Sequence, residues 1–423
     1  MQLKALFEVD RRERAALLIA FVYFFGLLTS YYMLRSVREA MGVRIGPEFY
    51  NWLYTGSFLC MLLAQPLYGA LVSRFARRVF VPVVYAFFLA CILGFLAVWQ
   101  VPEWRTGMAL VFYIWLSVAN LFTVSVFWSY MTDVFDPGQA KRVFGFIAAG
   151  GSAGGLSGAG LTMLLAGHID IDGVLLLSFG FLALSMGCAI LLGRHARAAS
   201  GRADAGDMDA LIGGTSLAAF RLVVQQIPLR WLALLMLLSG IGGGILYQQQ
   251  GFMVRVLYAD DALRAAYFAR IDLLTNLLAF TLEVFLARWL FLRLGTARLM
   301  TLMPLMLMAG LGALVVLPTA FMIGLFQVLS RGIRFAFGEP AIASCYTTLN
   351  REVRYKGKSF IDTFVYRLSD VATQWSIKGM GLLGLGTGGI YLWGAIMAGV
   401  TAWVGFVAGR QHEVRSAAAE KSV

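Results

Sequence analysis

Residues 79–100 are VFVPVVYAFFLACILGFLAVWQ, 22 positions without a charged side chain. At about 1.5 Å per residue, a helix of this length crosses the roughly 30 Å hydrocarbon core of a bilayer. With 60% hydrophobic and 14% charged residues, the chain leaves little material for a soluble domain. The sequence therefore predicts an all-α polytopic membrane protein with about twelve spans, at 14–37, 51–73, 79–100, 106–131, 143–166, 173–193, 229–254, 262–288, 298–316, 318–338, 358–384 and 388–409.

The basic residues predict the orientation of these spans. The net charge is +12, from 35 Lys and Arg against 23 Asp and Glu, and alternate loops and both tails hold the excess. The opposite loops near 167–172, 318 and 386–389 contain no Lys or Arg. By the positive-inside rule, both termini are expected in the cytoplasm, which agrees with an even number of spans. The exceptions on the outer side are Arg44, Arg105, Arg255 and Arg264.

Cysteine and histidine give no sign of a metal or cofactor site. The four cysteines are scattered and form neither a disulfide framework nor a zinc-binding spacing. The three histidines lie in predicted loops or tails. The first residues, MQLKALFEVDRRERAALL, lack a cleavable signal, so the first span is expected to remain as an anchor.

One long polar segment divides the chain. Residues 194–228 contain RHARAASGRADAGDMDALIGGTS, a composition that predicts a cytoplasmic linker. Six spans precede this linker and six follow it. We therefore expect an N-terminal six-helix bundle at 1–193 and a C-terminal six-helix bundle at 229–423, related by pseudo-two-fold symmetry.

The loop between spans 2 and 3 carries a motif, GALVSRFARR at 69–78. It resembles the signature G-x-x-x-D-R-x-G-R-R of the major facilitator superfamily, with Ser73 and Ala76 at the Asp and Gly positions. Residues 286–298 look like a worn copy of the same loop in the second half. A tight turn presents its arginines to helix ends and acidic groups and can latch one conformation. Alternatively, these residues are only positive-inside charges. The candidate gating residues are Arg74, Arg77 and Arg78.

Span 5 contains the small-residue stretch GGSAGGLSGAG at 150–160. A phosphate-binding loop is disfavoured, because the terminal Gly-Lys-Ser/Thr and a preceding strand are both missing. Small residues four positions apart (Gly150, Gly154 and Gly158) let helices approach closely in lipid. The stretch therefore predicts a packing helix.

Polar side chains inside spans are costly in lipid, so each is a candidate functional residue. In span 11, four of them recur every fourth position from Asp362 to Gln374 and are expected on one helix face. In span 8, Asp272 and Asn276 share a face in the same way. The predicted substrate-binding residues are Tyr31, Tyr32, Arg35, Arg38, Asn120, Trp128, Gln248, Gln249, Asn276, Arg331, Arg367 and Gln374.

Two further roles follow from position. Asp272 and Asp370 are candidate coupling residues, because they lie deep in spans 8 and 11. At the cytoplasmic edge, the candidate gating residues are Lys356, Lys358 and Asp362. The alternative for a single charged residue is an internal ion pair, for instance Asp370 with Arg331 or Asp272 with Lys378. For the whole set, a water-filled cavity is the economical interpretation.

Three stretches carry a second family resemblance. They are LRSVRE at 34–39, FW at 127–128 followed by AKRVF at 140–144, and YKGKSFID at 355–362 followed by RL at 367–368. They are similar to L-R-D-x-K-D, to F-W with A-K-R-F-Y, and to K-V-K-G-K-A-A-I-D with R-L-G-K-S-G-G. These motifs belong to the ATP/ADP translocases of plastids and obligate intracellular bacteria. The resemblance implies a distant relative of those nucleotide transporters.

Two positions depart from that family. Its acidic residue early in span 4 has no acidic counterpart near Trp115, where Asn120 is the nearest strongly polar side chain. Its Gly-Lys-Ser-Gly after the Arg-Leu pair is replaced by residues 369–372, SDVA, which exchanges a cation for an anion. Transport of a highly charged nucleotide would favour cations, so the substrate stays open.

The sequence thus predicts a secondary active transporter of the inner membrane that works by alternating access. For an anionic, nucleotide-like solute, Arg35, Arg38, Arg331 and Arg367 would be the clamps. Proton-coupled transport of another organic solute and a solute-sensing receptor remain alternatives. An enzyme or a channel is disfavoured, because neither catalytic clusters nor a selectivity filter are recognisable. The expected partners are a small-molecule substrate and membrane lipids but no nucleic acid or cofactor, and we expect a functional monomer.

Overall fold

The computed structural model describes residues 11–74, 77–135, 137–165, 168–199, 216–349, 353, 357–358 and 360–420. Within these ranges, side chains are described except at 11–13, 66–74, 77–79, 133, 137–142, 195–199, 216–220, 288 and 419–420.

Twelve helices, in the part of the chain that the structure describes, follow the predicted spans. They are α1 Arg11–Ile45, α2 Tyr50–Arg74, α3 Arg77–Trp99, α4 Arg105–Val134, α5 Pro137–Leu165, α6 Ile171–Ala199, α7 Ile227–Leu257, α8 Asp261–Leu282, α9 Arg288–Val316, α10 Ala320–Ile333, α11 Tyr366–Leu382 and α12 Thr387–Glu420. The final part of the predicted linker forms a short helix, Ser216–Gln225, because SLAAFRLVVQ supplies an apolar face.

Length and composition support a membrane setting. Among the described residues, eight helical segments are long and apolar enough to cross a bilayer: α1, α3, α4, α6, α7, α9, α12 and the run Ala320–Cys345, which continues α10 to the end of the helix Glu339–Cys345. The helices α2, α5, α8 and α11 are not in this group, and α8 and α11 carry several ionisable side chains. The predicted all-α polytopic fold is confirmed.

Three π-helical turns interrupt the second half of the chain within the described residues. They span Glu283–Ala287 after α8, Arg334–Gly338 after α10, and Ile361–Val365 before α11. The first two turns pack against each other. A π turn closes i→i+5 bonds and so changes the register of the helix. Asp362 lies inside such a turn, and regular α-helical spacing begins at Tyr366. The single face from Asp362 to Gln374 stays a prediction.

The contacts of the chain define two compact units. Unit 1 consists of the described residues of Met1–Ile45, Leu59–Asp209 and Val254–Leu273. Unit 2 consists of those of Gly46–Phe58, Ala210–Met253 and Leu274–Val423. Each unit therefore includes one short segment from the other half of the sequence. The division of the sequence into 1–193, 194–228 and 229–423 stays a prediction.

Unit 1 is built around α1, which packs against α4, α5 and α6. The Tyr23 hydroxyl donates to the Tyr85 hydroxyl at 2.8 Å, and Tyr85 donates to the Thr123 carbonyl at 3.2 Å. A Cβ on any of the three evenly spaced glycines of α5 would lie under 3.0 Å from a carbonyl oxygen of α1. The prediction that this stretch brings two helices into close contact is confirmed. The glycines are Gly150, Gly154 and Gly158.

In unit 2, α9 packs along α12 and against α10. Gly295 has φ 74°, a left-handed conformation that favours glycine, and it divides α9 just before Ala297. The Glu413 carboxylate of α12 accepts a hydrogen bond from the Ala297 amide at 3.0 Å. Helix α12 thereby caps the part of α9 that follows the kink. The second-half copy of the loop motif, residues 286–298, therefore contacts α12 through Ala297.

The first turns of α2 belong to unit 2 through aromatic and amide contacts. The rings of Trp52 and Trp375 are 5.0 Å apart, and the Trp375 indole donates to the Thr55 hydroxyl at 3.0 Å. The buried Gln248 amide donates to the Pro47 carbonyl at 3.0 Å. These contacts join the start of α2 to α7 and α11.

Candidate functional site

Arg35 in α1 lies beside a buried carboxylate of α8. Its Nε is 3.4 Å from Oδ2 of Asp272, whose side chain is 4% exposed. The guanidinium also lies 5.7 Å from the ring centre of Tyr32, which packs edge-on against Tyr31. The alternative expectation paired Asp272 with Lys378, whereas the structure pairs it with Arg35. Lys378 lies 5.9 Å from the Phe49 ring.

Arg38, one turn further along α1, pairs with a different carboxylate, that of Glu39. Its Nη2 is 2.5 Å from Oε1 of Glu39, a side chain that is 4% exposed. Nη1 donates to the Ser117 hydroxyl at 3.3 Å, and the guanidinium lies over the Tyr113 ring at 5.0 Å. Unit 1 therefore neutralises both predicted anion clamps with buried carboxylates.

The other two candidates of unit 1 lie in α4. Asn120 is half-buried and lines a small pocket with Tyr31, Trp115 and Thr123. Trp128 lies in an aromatic cluster, with its ring 5.4 Å from Phe24. Its indole packs against the core of the unit. Tyr31 and Asn120 are thus brought together, while Trp128 lies in a more apolar environment.

The end of α1 lies in a charged network that the sequence candidates did not include. Arg44 at the end of α1 is 2.6 Å from one oxygen of Asp261, and Arg264 is 2.8 Å from the other. Arg44 and Arg105 both lie over the Trp99 ring, at 5.3 and 5.0 Å. Three of the four exceptions to the charge rule are therefore engaged with a carboxylate or an aromatic face.

In unit 2, neutral amides occupy buried positions on α7 and α11. Gln248 and Gln374 are 7% and 2% exposed, and the Tyr391 hydroxyl donates to Gln249 at 3.5 Å. Gln250, which was not selected from the sequence, is more buried than Gln249. Asn276 on α8 is half-buried.

Arginines of α10 and α11 form the charged part of unit 2. The Arg334 Nη1 lies 3.5 Å from the Tyr366 hydroxyl, and its Nε lies 3.6 Å from Glu339. Arg367 is 3.5 Å from Asp370, which also lies within electrostatic reach of Arg334. Asp370 therefore has a partner within its own helix, and its pairing with Arg331 stays a prediction. Arg331 is half-buried, one turn before Arg334.

Only part of the predicted gate is described. Lys358 forms an ion pair with Asp362 and lies 5.3 Å from the Tyr346 ring. Burial raises the pKa of the Tyr346 phenol, so the ring under Lys358 stays neutral. Lys356 lies outside the described residues, as do the side chains of Arg74, Arg77 and Arg78.

The sequence profile of the Major Facilitator Superfamily matches residues 16–361, which is most of the chain. This chain belongs to the Major Facilitator Superfamily. No curated protein sequence matches it. The more specific resemblance to ATP/ADP translocases stays a prediction.

Solved structures of superfamily proteins share the fold. The nucleoside transporter NupG superposes with a TM-score of 0.64 at 14% identity, over 94% of this chain and 99% of that one. A bacterial homologue of the human lysosomal transporter Spinster has a TM-score of 0.60 at 14% identity, over 96% and 99%. The human organic anion transporter MFSD10 has a TM-score of 0.57 at 15% identity, over 94% and 100%. At these identities the comparison establishes the fold of this Major Facilitator Superfamily member.

Several members of the charged clusters were not selected from the sequence, among them Glu39, Asp261 and Arg334. Glu39 is adjacent to Arg38, and Asp261 follows Asp260 at the start of α8, so both had the appearance of ordinary helix-end charges. Arg334 lay beside the selected Arg331. A signal was available for Asp261, since Arg44 and Arg264 both broke the charge rule on the outer side.

Proposed function

We propose that this superfamily member is a secondary active transporter that moves an organic anion across the inner membrane by alternating access. The observation that carries the proposal is the set of arginines held within membrane helices in both units. Charged side chains at such positions are costly in lipid and mark substrate or ion pathways. The fold is shared with solved structures of a nucleoside transporter and of an organic anion transporter. The transporter acts as a monomer.

Counterflow in liposomes tests this proposal. A thermal-shift screen of the purified protein against nucleotides, organic anions, amino acids and peptides first selects ligands, because binding to the folded state raises its melting point. Vesicles preloaded with the unlabelled ligand should then accumulate the labelled form. Stabilisation without counterflow would favour the solute-sensing alternative. Counterflow restricted to neutral or cationic ligands would contradict an anionic substrate.

A second candidate is proton-coupled transport of another organic solute. The observation that favours it is Asp370, a carboxylate of α11 whose side chain is 20% exposed. An Asp370→Asn variant should keep counterflow, which needs no driving force, and lose uphill accumulation in a pH gradient. Unchanged accumulation would leave Asp370 as an ion-pair partner only.

The proposed orientation, with both termini in the cytoplasm, has a direct test. Single cysteines are placed at Ala418, near the end of α12, and at Glu103, between α3 and α4. Both positions are exposed. Ala418→Cys should react only with reagents that reach the cytoplasm, and Glu103→Cys only with reagents on the outer side. The reverse pattern would overturn the orientation.

A further inference from the structure

The arginines of unit 2 meet carboxylates that are more exposed than those beside the arginines of α1. Arg334 lies 3.6 Å from Glu339, whose side chain is 57% exposed, and Arg367 lies 3.5 Å from Asp370, whose side chain is 20% exposed. The carboxylates beside Arg35 and Arg38 are 4% exposed. Water therefore screens the carboxylates of unit 2 more than those of unit 1.

The local charge balance is positive. Arg334 and Arg367 are half-buried, and the half-buried Asp370 lies within electrostatic reach of both. Glu339, the other partner of Arg334, has a side chain that is 57% exposed, so water screens its charge. Glu283, within electrostatic reach of Glu339, is exposed as well.

Arg334 lies at the start of a π turn, not within a regular α-helix. Arg334 opens the π turn Arg334–Gly338 and directs its guanidinium towards Tyr366, the first residue after the π turn Ile361–Val365. It also lies 4.9 Å from the Phe335 ring. π turns inside α-helices occur frequently at functional sites. Both helices therefore depart from regular geometry where the arginine and the tyrosine meet.

We infer that Arg334 and Arg367 form a subsite for an oxyanion of the transported solute, a carboxylate or a phosphate, and that Asp370 occupies this subsite when no solute is bound. A planar guanidinium binds either group through two parallel hydrogen bonds. Tyr366 supplies a hydroxyl beside the same position. The inference rests on the proposed function, since it assigns the oxyanion to the transported solute, and it places that oxyanion in unit 2.

Cysteine labelling tests the charge of this subsite without a known substrate. In a chain whose four native cysteines are replaced, Tyr366→Cys reports on unit 2, and Tyr31→Cys, beside Arg35, is the matched position in unit 1. Each is treated in lipid-free detergent with an anionic and a cationic methanethiosulfonate reagent. The ratio of anionic to cationic rate should be about tenfold higher at Tyr366→Cys, because a nearby positive charge attracts one reagent and repels the other.

Three background substitutions show which groups set this ratio. Arg334→Gln should lower the ratio at Tyr366→Cys about fivefold, while Arg334→Lys, which keeps the charge, should change it less than twofold. Asp370→Asn should raise it. The inference would be overturned by equal ratios in the two units or by a ratio at Tyr366→Cys that Arg334→Gln leaves unchanged. It would also be overturned if a folded Tyr366→Cys variant reacted with neither reagent.

The outcome is separable from that of the proposed function. If liposomes show no counterflow of any anion but the labelling ratio behaves as described, the anion subsite stands and anion transport fails. If counterflow identifies a transported anion, Arg334→Gln should raise its half-saturation concentration at least tenfold, and Glu339→Gln less than twofold. Equal effects of the two substitutions would remove Arg334 from the subsite.

Discussion

Unit 1 and unit 2 both contain arginines inside helices, but the carboxylates beside these arginines differ in how exposed they are. In unit 1, Arg35 and Arg38 meet carboxylates whose side chains are 4% exposed, one of them at 2.5 Å. In unit 2, the carboxylates beside Arg367 and Arg334 are more exposed, at 20% for Asp370 and 57% for Glu339. The comparison teaches that an arginine in a span is not by itself an anion clamp, because its nearest carboxylate decides how much charge is left for a ligand.

The largest expected difference concerns the two aspartates. Asp272→Asn removes the partner of the largely buried Arg35 and should lower the free energy of unfolding by about 3–5 kcal/mol. Asp370→Asn should lower it by less than Asp272→Asn does, because the side chain of Asp370 is more exposed than that of Asp272, 20% against 4%. Chemical unfolding of the purified protein in detergent measures both. Equal losses would erase the contrast between the units.

A smaller effect is expected from the packing of α1, which carries the ion pairs of unit 1. Gly154→Ala in α5 places a Cβ against the Phe25 carbonyl and should cost about 1–3 kcal/mol of unfolding free energy. Gly160→Ala on the same helix meets open space and is the matched control, with an expected change within about 0.5 kcal/mol. If both variants melt at the same temperature, close contact with α5 does not position α1.

The smallest effect on stability is expected at the edge of unit 2. Lys358→Gln breaks an exposed ion pair with Asp362 and should change the unfolding free energy by less than about 1 kcal/mol. If Lys358 gates transport, the variant should still bind ligand but show slower counterflow. Asp362→Asn breaks the same pair and should have the same effect. Loss of binding in a folded Lys358→Gln variant would assign Lys358 to substrate contact instead.

The span pattern was predictable because long apolar runs in a membrane protein have few alternatives to helices. The glycines of α5 were predictable for a similar reason, since small residues four positions apart lie on one helix face. The same rule did not anticipate the π turn Ile361–Val365, because it assumes an uninterrupted α-helix. Local periodicity predicts which side chains share a face only where the backbone is regular.

The charged pairs were less predictable than the helices. Asp272 and Arg35 are 237 positions apart in the sequence, and no local pattern identifies which of several carboxylates a buried arginine will meet. Arg44 and Arg264 gave the best available signal of a charged pair. Both are exceptions to the positive-inside rule, and a cation near a membrane helix needs a partner. Sequence spacing could not distinguish Arg334 from Arg331, because only the structure shows that Arg334 reaches the Tyr366 hydroxyl.

The π turns also determine how related chains should be compared with this one. Each such turn contains one residue more than the α-helical turn it replaces, so every side chain beyond it is rotated about the helix axis. In the π turn the Glu339 amide donates to the Arg334 carbonyl, so the two residues stand one above the other. A relative with the same number of residues in a regular α-helix would place the two counterparts about 140° apart around the axis. An alignment that appears continuous across this point would then match residues that face different directions. Whether a relative has the extra residue in each of these three turns should decide if it can form the same charged surface. The identity of any one arginine should matter less.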